Sequence, residues 1–197
     1  QIDFFISSFY DFGCILFVNG EANEKYIPNI QHVRRRETIA MTPNNSLIAL
    51  KLFINPNNSP TTNATESIKY KSKVLECIQS ITGTETEPLV ASSGLSIQYA
   101  ILMGLINDAI EKHKGKTIKL VVPPNCYGGT NDQARRVAAA IDNVEIVDLP
   151  VDGGNDMVNS IDIVLSEIAK EDAIPYIIAE IPTNPRVEVP NLTDLKK

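Results

Sequence analysis

At 197 residues, with 43% apolar and 21% charged side chains, the chain can bury one substantial core and carry an additional arm. Its formal net charge of −6 argues against a nucleic-acid partner, and no apolar stretch approaches the ~20 residues of a membrane span. Cys14, Cys77 and Cys126 are far apart and odd in number, which points to reduced thiols in a cytoplasmic setting and to no zinc site. With only His32 and His113 present, neither a catalytic histidine nor a His-rich metal site is expected. Arg34-Arg35-Arg36 reads as a solvated basic patch.

Residues 1–60 are expected to form an irregular N-terminal arm. Short apolar runs (Phe4 to Ile6, Cys14 to Val18, Leu47 to Ile54) alternate there with turn-rich pieces. Such an arm cannot bury Phe4, Phe5, Ile6, Leu16, Phe17 and Val18 against itself, so this surface is expected to form a subunit interface. Asn55-Pro56-Asn57-Asn58-Ser59-Pro60 marks the boundary, because proline and asparagine favour turns.

From residue 61 to 197 the pattern is regular. Asn63 with Glu66 three residues later resembles a capping box, and Ile68, Val74, Leu75, Ile78 and Ile81 follow at helical spacing up to Gly83. Pro88 to Ala91 is expected to be a short extended piece, and Ser93 to His113 a second helix. Then come a strand over Thr117–Val122, a helix over Thr130–Ile141 and a strand over Val144–Leu149. A helix over Met157–Lys170 and a strand over Pro175–Ile181 complete the series, with Pro182 as the stop. Strands alternating with helices of this length predict βαβ crossovers and an α/β domain of three αβα layers with a mostly parallel sheet.

Three polar or turn-forming clusters follow apolar runs, at the sheet edge where ligands bind in open α/β folds. Ser92-Ser93-Gly94-Leu95 opens a helix. The unpaired amides there can receive a phosphate, although serine and glycine are also ordinary cap and turn residues. Tyr127-Gly128-Gly129-Thr130 places an aromatic ring where it can stack on a planar heterocycle or pack on its own domain. In Pro182-Thr183-Asn184-Pro185 two fixed φ angles stiffen the backbone around Asn184, either as a plain turn or to hold that amide toward a ligand oxygen.

Together, these three motifs and their order resemble the pyridoxal-phosphate enzymes of cysteine and methionine metabolism: cystathionine synthases and lyases, sulfhydrylases and methionine lyases. The resemblance spans Leu89 to Leu195, about half of the chain. It implies a fold-type I, PLP-dependent transferase-like large domain, here its N-terminal half, acting on a small amino-acid substrate as a homodimer or homotetramer. Carried over by position, Ser93, Gly94 and Leu95 would hold the cofactor phosphate. Tyr127 would stack on the pyridine ring, and Asn184 would lie near its 3′ oxygen and the substrate carboxylate. Glu180 and Thr183 would support the site. The Schiff-base lysine of a Ser-x-x-Lys segment and the aspartate that pairs with the pyridine nitrogen are expected beyond Lys197. No catalytic residue is therefore assigned within the chain, and the fragment alone is expected to be inactive. No Tyr-x-Arg segment, used by such arms to reach a neighbouring phosphate, occurs between Gln31 and Lys71. The competing expectation is a non-enzymatic, degenerate α/β module kept for dimerisation or regulation. A nucleotide-binding domain ranks last, since neither GxGxxG nor GxxxxGK[ST] is present.

Overall fold

Two apolar runs at the start of the chain, Phe4–Phe9 (β1) and Gly13–Val18 (β2), pair antiparallel as a hairpin. The computed structural model describes residues 2–9, 12–36, 41–57, 64–151, 157–184 and 186–195. The hairpin corrects the expectation of an irregular arm. Phe4 pairs with Val18 and Ile6 with Leu16, and between them Phe5 stacks on Phe17 with centroids 4.4 Å apart. Gly13 starts β2 at φ 135°, and a Cβ there would lie 2.5 Å from Met41 Sδ.

After a 3-10 turn at Glu21–Tyr26 come helices α1 (Ile27–Arg36) and α2 (Pro43–Ile54). The apolar run at Leu47–Ile54 is thus helical. Thr42 caps α2 by accepting from the Asn45 amide, and Pro43 occupies its first turn. Phe9, Ala49 and Leu52 form a small core with Phe12, Ile15, Met41 and Ile48 around it. Phe4, Phe5, Ile6 and Leu16 stay exposed.

Helix α3 (Ala64–Thr82) ends at Gly83, whose φ of 66° is the left-handed cap that the sequence anticipated. Its proposed cap Asn63 and the expected boundary at residue 60 lie outside the described residues. The chain divides into two compact units after Ser93. Pro88–Ala91, expected to be a short extended piece, pairs with no strand, and Leu89 and Val90 are exposed. So short an apolar run gains strand geometry only by pairing.

The second unit contains α4 (Gly94–Lys112), β3 (Ile118–Val122), α5 (Gly128–Ala140), β4 (Val144–Asp148), α6 (Met157–Lys170), β5 (Ile174–Ile177) and α7 (Leu192–Leu195). Its sheet is small and parallel, in the order β4-β3-β5, with Leu120 opposite Ile146 on one side and Tyr176 on the other. All five residues of the central strand β3 are buried, as a strand covered on both faces requires. Alternation then sorts the core. Ile118, Leu120 and Val122 meet Leu102 and Ile106 of α4 and Ala134 and Val137 of α5. Val121, on the opposite face, meets Met157, Ile161 and Ile168 of α6. Helices therefore cover both faces of this sheet. Strand β5 is shorter than expected, although the Ile178 amide still donates to Val121 O at 3.0 Å.

Lys119 is the one charged residue inside β3 and is 8% exposed. Its Nζ donates to Glu145 at 2.7 Å and Glu171 at 2.8 Å. These bonds, Glu145 first, raise its pKa above the ordinary lysine value of 10.5 against the opposing effect of burial. A raised folded-state value means the stabilisation is complete below 10.5 and lost as pH climbs through the folded pKa. Chemical denaturation at alkaline pH should show stability falling above that value, and Lys119→Met should flatten this limb.

Candidate functional site

In a parallel sheet every strand ends on the same edge, so the loops after β3, β4 and β5 gather there. The chain leaves β3 for β4 on one side, then crosses to β5 on the other. The connections thus part between β3 and β5, and such a switch point opens a crevice beyond the strand ends. Two loops border it: residues 123–127 after β3 and residues 178–191 after β5.

Tyr127 occupies the cap position of α5 without a side-chain cap. Its amide instead donates to Glu180 Oε2 at 2.5 Å, which ties the β3 loop to the β5 loop. The ring lies over Gly129: a Cβ at 129 would sit 2.5 Å from Tyr127 Cε1 and 3.3 Å from Leu95 Cδ1. Glycine here is what lets the ring settle between the starts of α4 and α5, with 44% of Tyr127 exposed. Gln133, fully buried on α5, donates to Leu95 O at 3.0 Å and holds those two helix starts together. At Gly94 and Gly128, by contrast, an added Cβ would meet nothing within 4 Å. Among the described residues no packing requires either glycine, and both leave helix-start backbone open to approach.

Thr183 is buried and serves the loop itself. Its Oγ1 accepts from Glu188 N at 2.9 Å, and its own amide donates to Glu188 O at 3.0 Å. Val187 closes the turn at φ 58°, the left-handed region that β-branched residues avoid. Between these fixed ends, Asn184 lines a cavity of about 220 Å³ together with Pro124, Asn125, Cys126, Val151 and Arg186. Pro185 lies outside the described residues.

Of the residues singled out from the sequence, Leu95 and Tyr127 are brought together over Gly129, Glu180 is bonded to Tyr127, and Asn184 stands on the same edge. Gly94 is the first residue of α4, and Ser93 immediately precedes it as the last residue of the first unit. Thr183 is turned into its own loop.

Sequence reasoning missed Asn125, Arg186 and Glu188, and it treated Cys126 only as a reduced thiol. Asn125 donates from Nδ2 to Glu188 Oε2 at 3.0 Å, linking the two loops a second time. Burial, and then the nearby Glu180 charge, push the Cys126 thiol up from its ordinary value, so it stays protonated at neutral pH and is a poor nucleophile. The one usable signal was the position of Asn125-Cys126 just past Pro123-Pro124 at a strand end.

Among the described residues, no group of three or more His, Cys, Asp or Glu is placed to hold a metal ion, and no helix is long and apolar enough to cross a membrane. No family model, curated protein or solved structure matches the chain.

Proposed function

We propose that this chain is part of a pyridoxal-phosphate-dependent enzyme of sulfur amino-acid metabolism, of the cystathionine synthase and lyase kind, carrying out β- or γ-elimination or replacement. The observation that carries the reading is the meeting of Tyr127 and Leu95 over Gly129 on the same sheet edge as Asn184. The residues fit the cofactor's parts. The first amides of α4, at Gly94 and Leu95, are donors for its phosphate, with open space where a side chain at 94 would stand. Tyr127 offers a half-exposed ring backed by Gly129, and Asn184 offers an amide donor for a ring oxygen. Pyridoxal phosphate, when bound, supplies an electron sink beside the α-carbon of an amino acid. Within this chain Glu180 holds the Tyr127 backbone, and Thr183 holds the Asn184 loop.

No described lysine of the second unit stands on this edge. Lys112, Lys114, Lys116, Lys119 and Lys170 all lie where helices lead into strands, at the opposite end of the sheet. This reading therefore takes the cofactor-anchoring lysine and the pyridinium-pairing aspartate from outside residues 1–197, within a homo-oligomeric, cytoplasmic parent enzyme. The same placement of lysines is what favours the second reading, a non-catalytic α/β module.

Equilibrium dialysis of the chain against pyridoxal phosphate tests the proposal. Binding should be weak, with a Kd in the millimolar range, equivalent to about 4 kcal/mol. Tyr127→Ala should weaken it severalfold and Arg34→Ala should leave it unchanged. Borohydride treatment should trap no adduct at one specific lysine. Equal binding by the Tyr127→Ala chain, or one uniquely trapped lysine, would overturn this assignment.

A further inference from the structure

We propose that the first unit holds a ligand site of its own, a groove between the β1–β2 hairpin, α1 and the start of α2 that takes a medium-chain fatty acid, its carboxylate on Arg34 and its alkyl chain on the apolar lining. The described residues that line this groove all belong to the first unit, so the inference does not rest on the pyridoxal-phosphate reading.

The hairpin supplies much of the apolar lining. Its register puts Phe4 and Leu16 on one face, and both border the groove at 41% and 40% exposure. Phe12, Ile15 and Met41 border it too, and they pack around the small core of Phe9, Ala49 and Leu52. Gly13 makes room for this arrangement, since a Cβ there would lie 2.5 Å from Met41 Sδ and push that side chain off the hairpin. Ile30 of α1 adds to the lining. Apolar side chains left in contact with water around one concavity mark a binding site.

Charge sets the polar end. Arg34 lies on α1, and neither α1 nor α2 contains an aspartate or glutamate. Among the described residues no carboxylate pairs with the Arg34 guanidinium. Asp3 is the one carboxylate among the described lining residues, and it accepts from Asn23 Nδ2 at 3.0 Å. Asn23 precedes α1, whereas Arg34 stands about 10 Å along that helix from Ile27, at ~1.5 Å per residue. Acid and base are thus kept at separate ends. In a chain of net charge −6, this end of the groove is basic. A planar guanidinium without a partner offers paired donors to a carboxylate. One member of the arginine run that reads as a solvated patch therefore stands on the wall of an apolar groove.

Size and polarity narrow the class. The groove measures about 1180 Å³, more than a lone ion or a single amino acid needs. An apolar wall with one cationic end complements a long alkyl chain with one acidic end. A sugar or nucleotide would set its hydroxyls against phenylalanine and leucine, where they would lose water without gaining partners.

Calorimetric titration of the full chain with monomeric decanoate tests this, with decanol and hexanoate as controls. Decanoate should saturate in the high-micromolar range. Decanol, which lacks the charge, and hexanoate, which lacks the length, should each bind at least about tenfold weaker, equivalent to 1.4 kcal/mol. Arg34→Gln, at an exposed residue, should bring decanoate down to the decanol level, leaving decanol binding and the circular dichroism spectrum unchanged. Leu16→Gln should weaken both ligands, and if that variant does not fold, the Arg34→Gln result decides. Absence of saturation would overturn the inference, as would decanol binding as tightly as decanoate (an apolar groove only) or unchanged affinity in Arg34→Gln. So would co-sedimentation with phosphatidylglycerol vesicles without decanoate binding (a membrane surface), or a decanoate-insensitive dimer that Leu16→Gln dissociates (a second copy in the groove). Pyridoxal-phosphate binding should be indifferent to Arg34, so either reading can fail while the other stands.

Discussion

Leu120→Ala is expected to lower the unfolding free energy of the second unit by about 3–5 kcal/mol, at the upper end of leucine truncations. Leu120 is fully buried at the middle of the central strand, flanked by Ile146 and Tyr176 in register and packed in the cluster that α4 and α5 close. Neighbours fixed by two parallel ladders cannot collapse far into the space left behind, so the cavity cost adds to the lost burial. Against a typical stability of 5–15 kcal/mol, this is a large share of the total. Ile163→Ala is the matched control: on α6, at a residue 66% exposed, it should change stability by about 0.5 kcal/mol or less. Urea denaturation should resolve the two. A Leu120→Ala cost near that of Ile163→Ala would mean that β3 is not the centre of the core.

Much of that core was legible because its elements are self-consistent over long stretches. Met157–Lys170 is helical over the expected span, and the strands at 118–122 and 144–148 differ from expectation by one residue at an end. A run of apolar residues interrupted only by Lys119, fit for burial on both faces, leaves β3 few alternatives. The hairpin was not legible for the opposite reason. Ser7-Ser8 interrupt β1, most of its residues are exposed on both faces, and no Asn-Gly or Asp-Gly turn joins it to β2. Leu47–Ile54 is a run whose apolar content suits strand or helix, and the Thr42-Pro43 start that makes it helical lies ahead of the run.

The site divides in the same way. Tyr127, Gly129 and Asn184 could be placed because each follows a recognisable strand. Arg186 and Asn125 could not, because what joins them is one carboxylate, Glu188, 63 residues from Asn125. Nothing local in the sequence announces such a bond. Thr183, expected to support the site, has its hydroxyl bonded inside the turn that carries Asn184.

That hydroxyl gives the second large effect. Thr183→Val keeps the shape of the side chain and removes its oxygen, so the Glu188 amide loses its 2.9 Å acceptor in a part-buried setting. The expected cost is about 1–2 kcal/mol, the loss of one hydrogen bond with its donor partly shielded from water. Thr183→Ser retains the oxygen and gives up one methyl group, at about 0.8 kcal/mol or slightly more. Thermal or urea unfolding should therefore rank native above Thr183→Ser above Thr183→Val. The deficit should also reach the crevice. The Thr183–Glu188 closure positions Asn184 and Arg186, and Glu188 is the anchor for Asn125. Amide hydrogen exchange should rise at Val187 and Glu188 in Thr183→Val and stay near native in Thr183→Ser. If the valine variant is as stable as native, with protection unchanged at both amides, the turn does not depend on this hydroxyl.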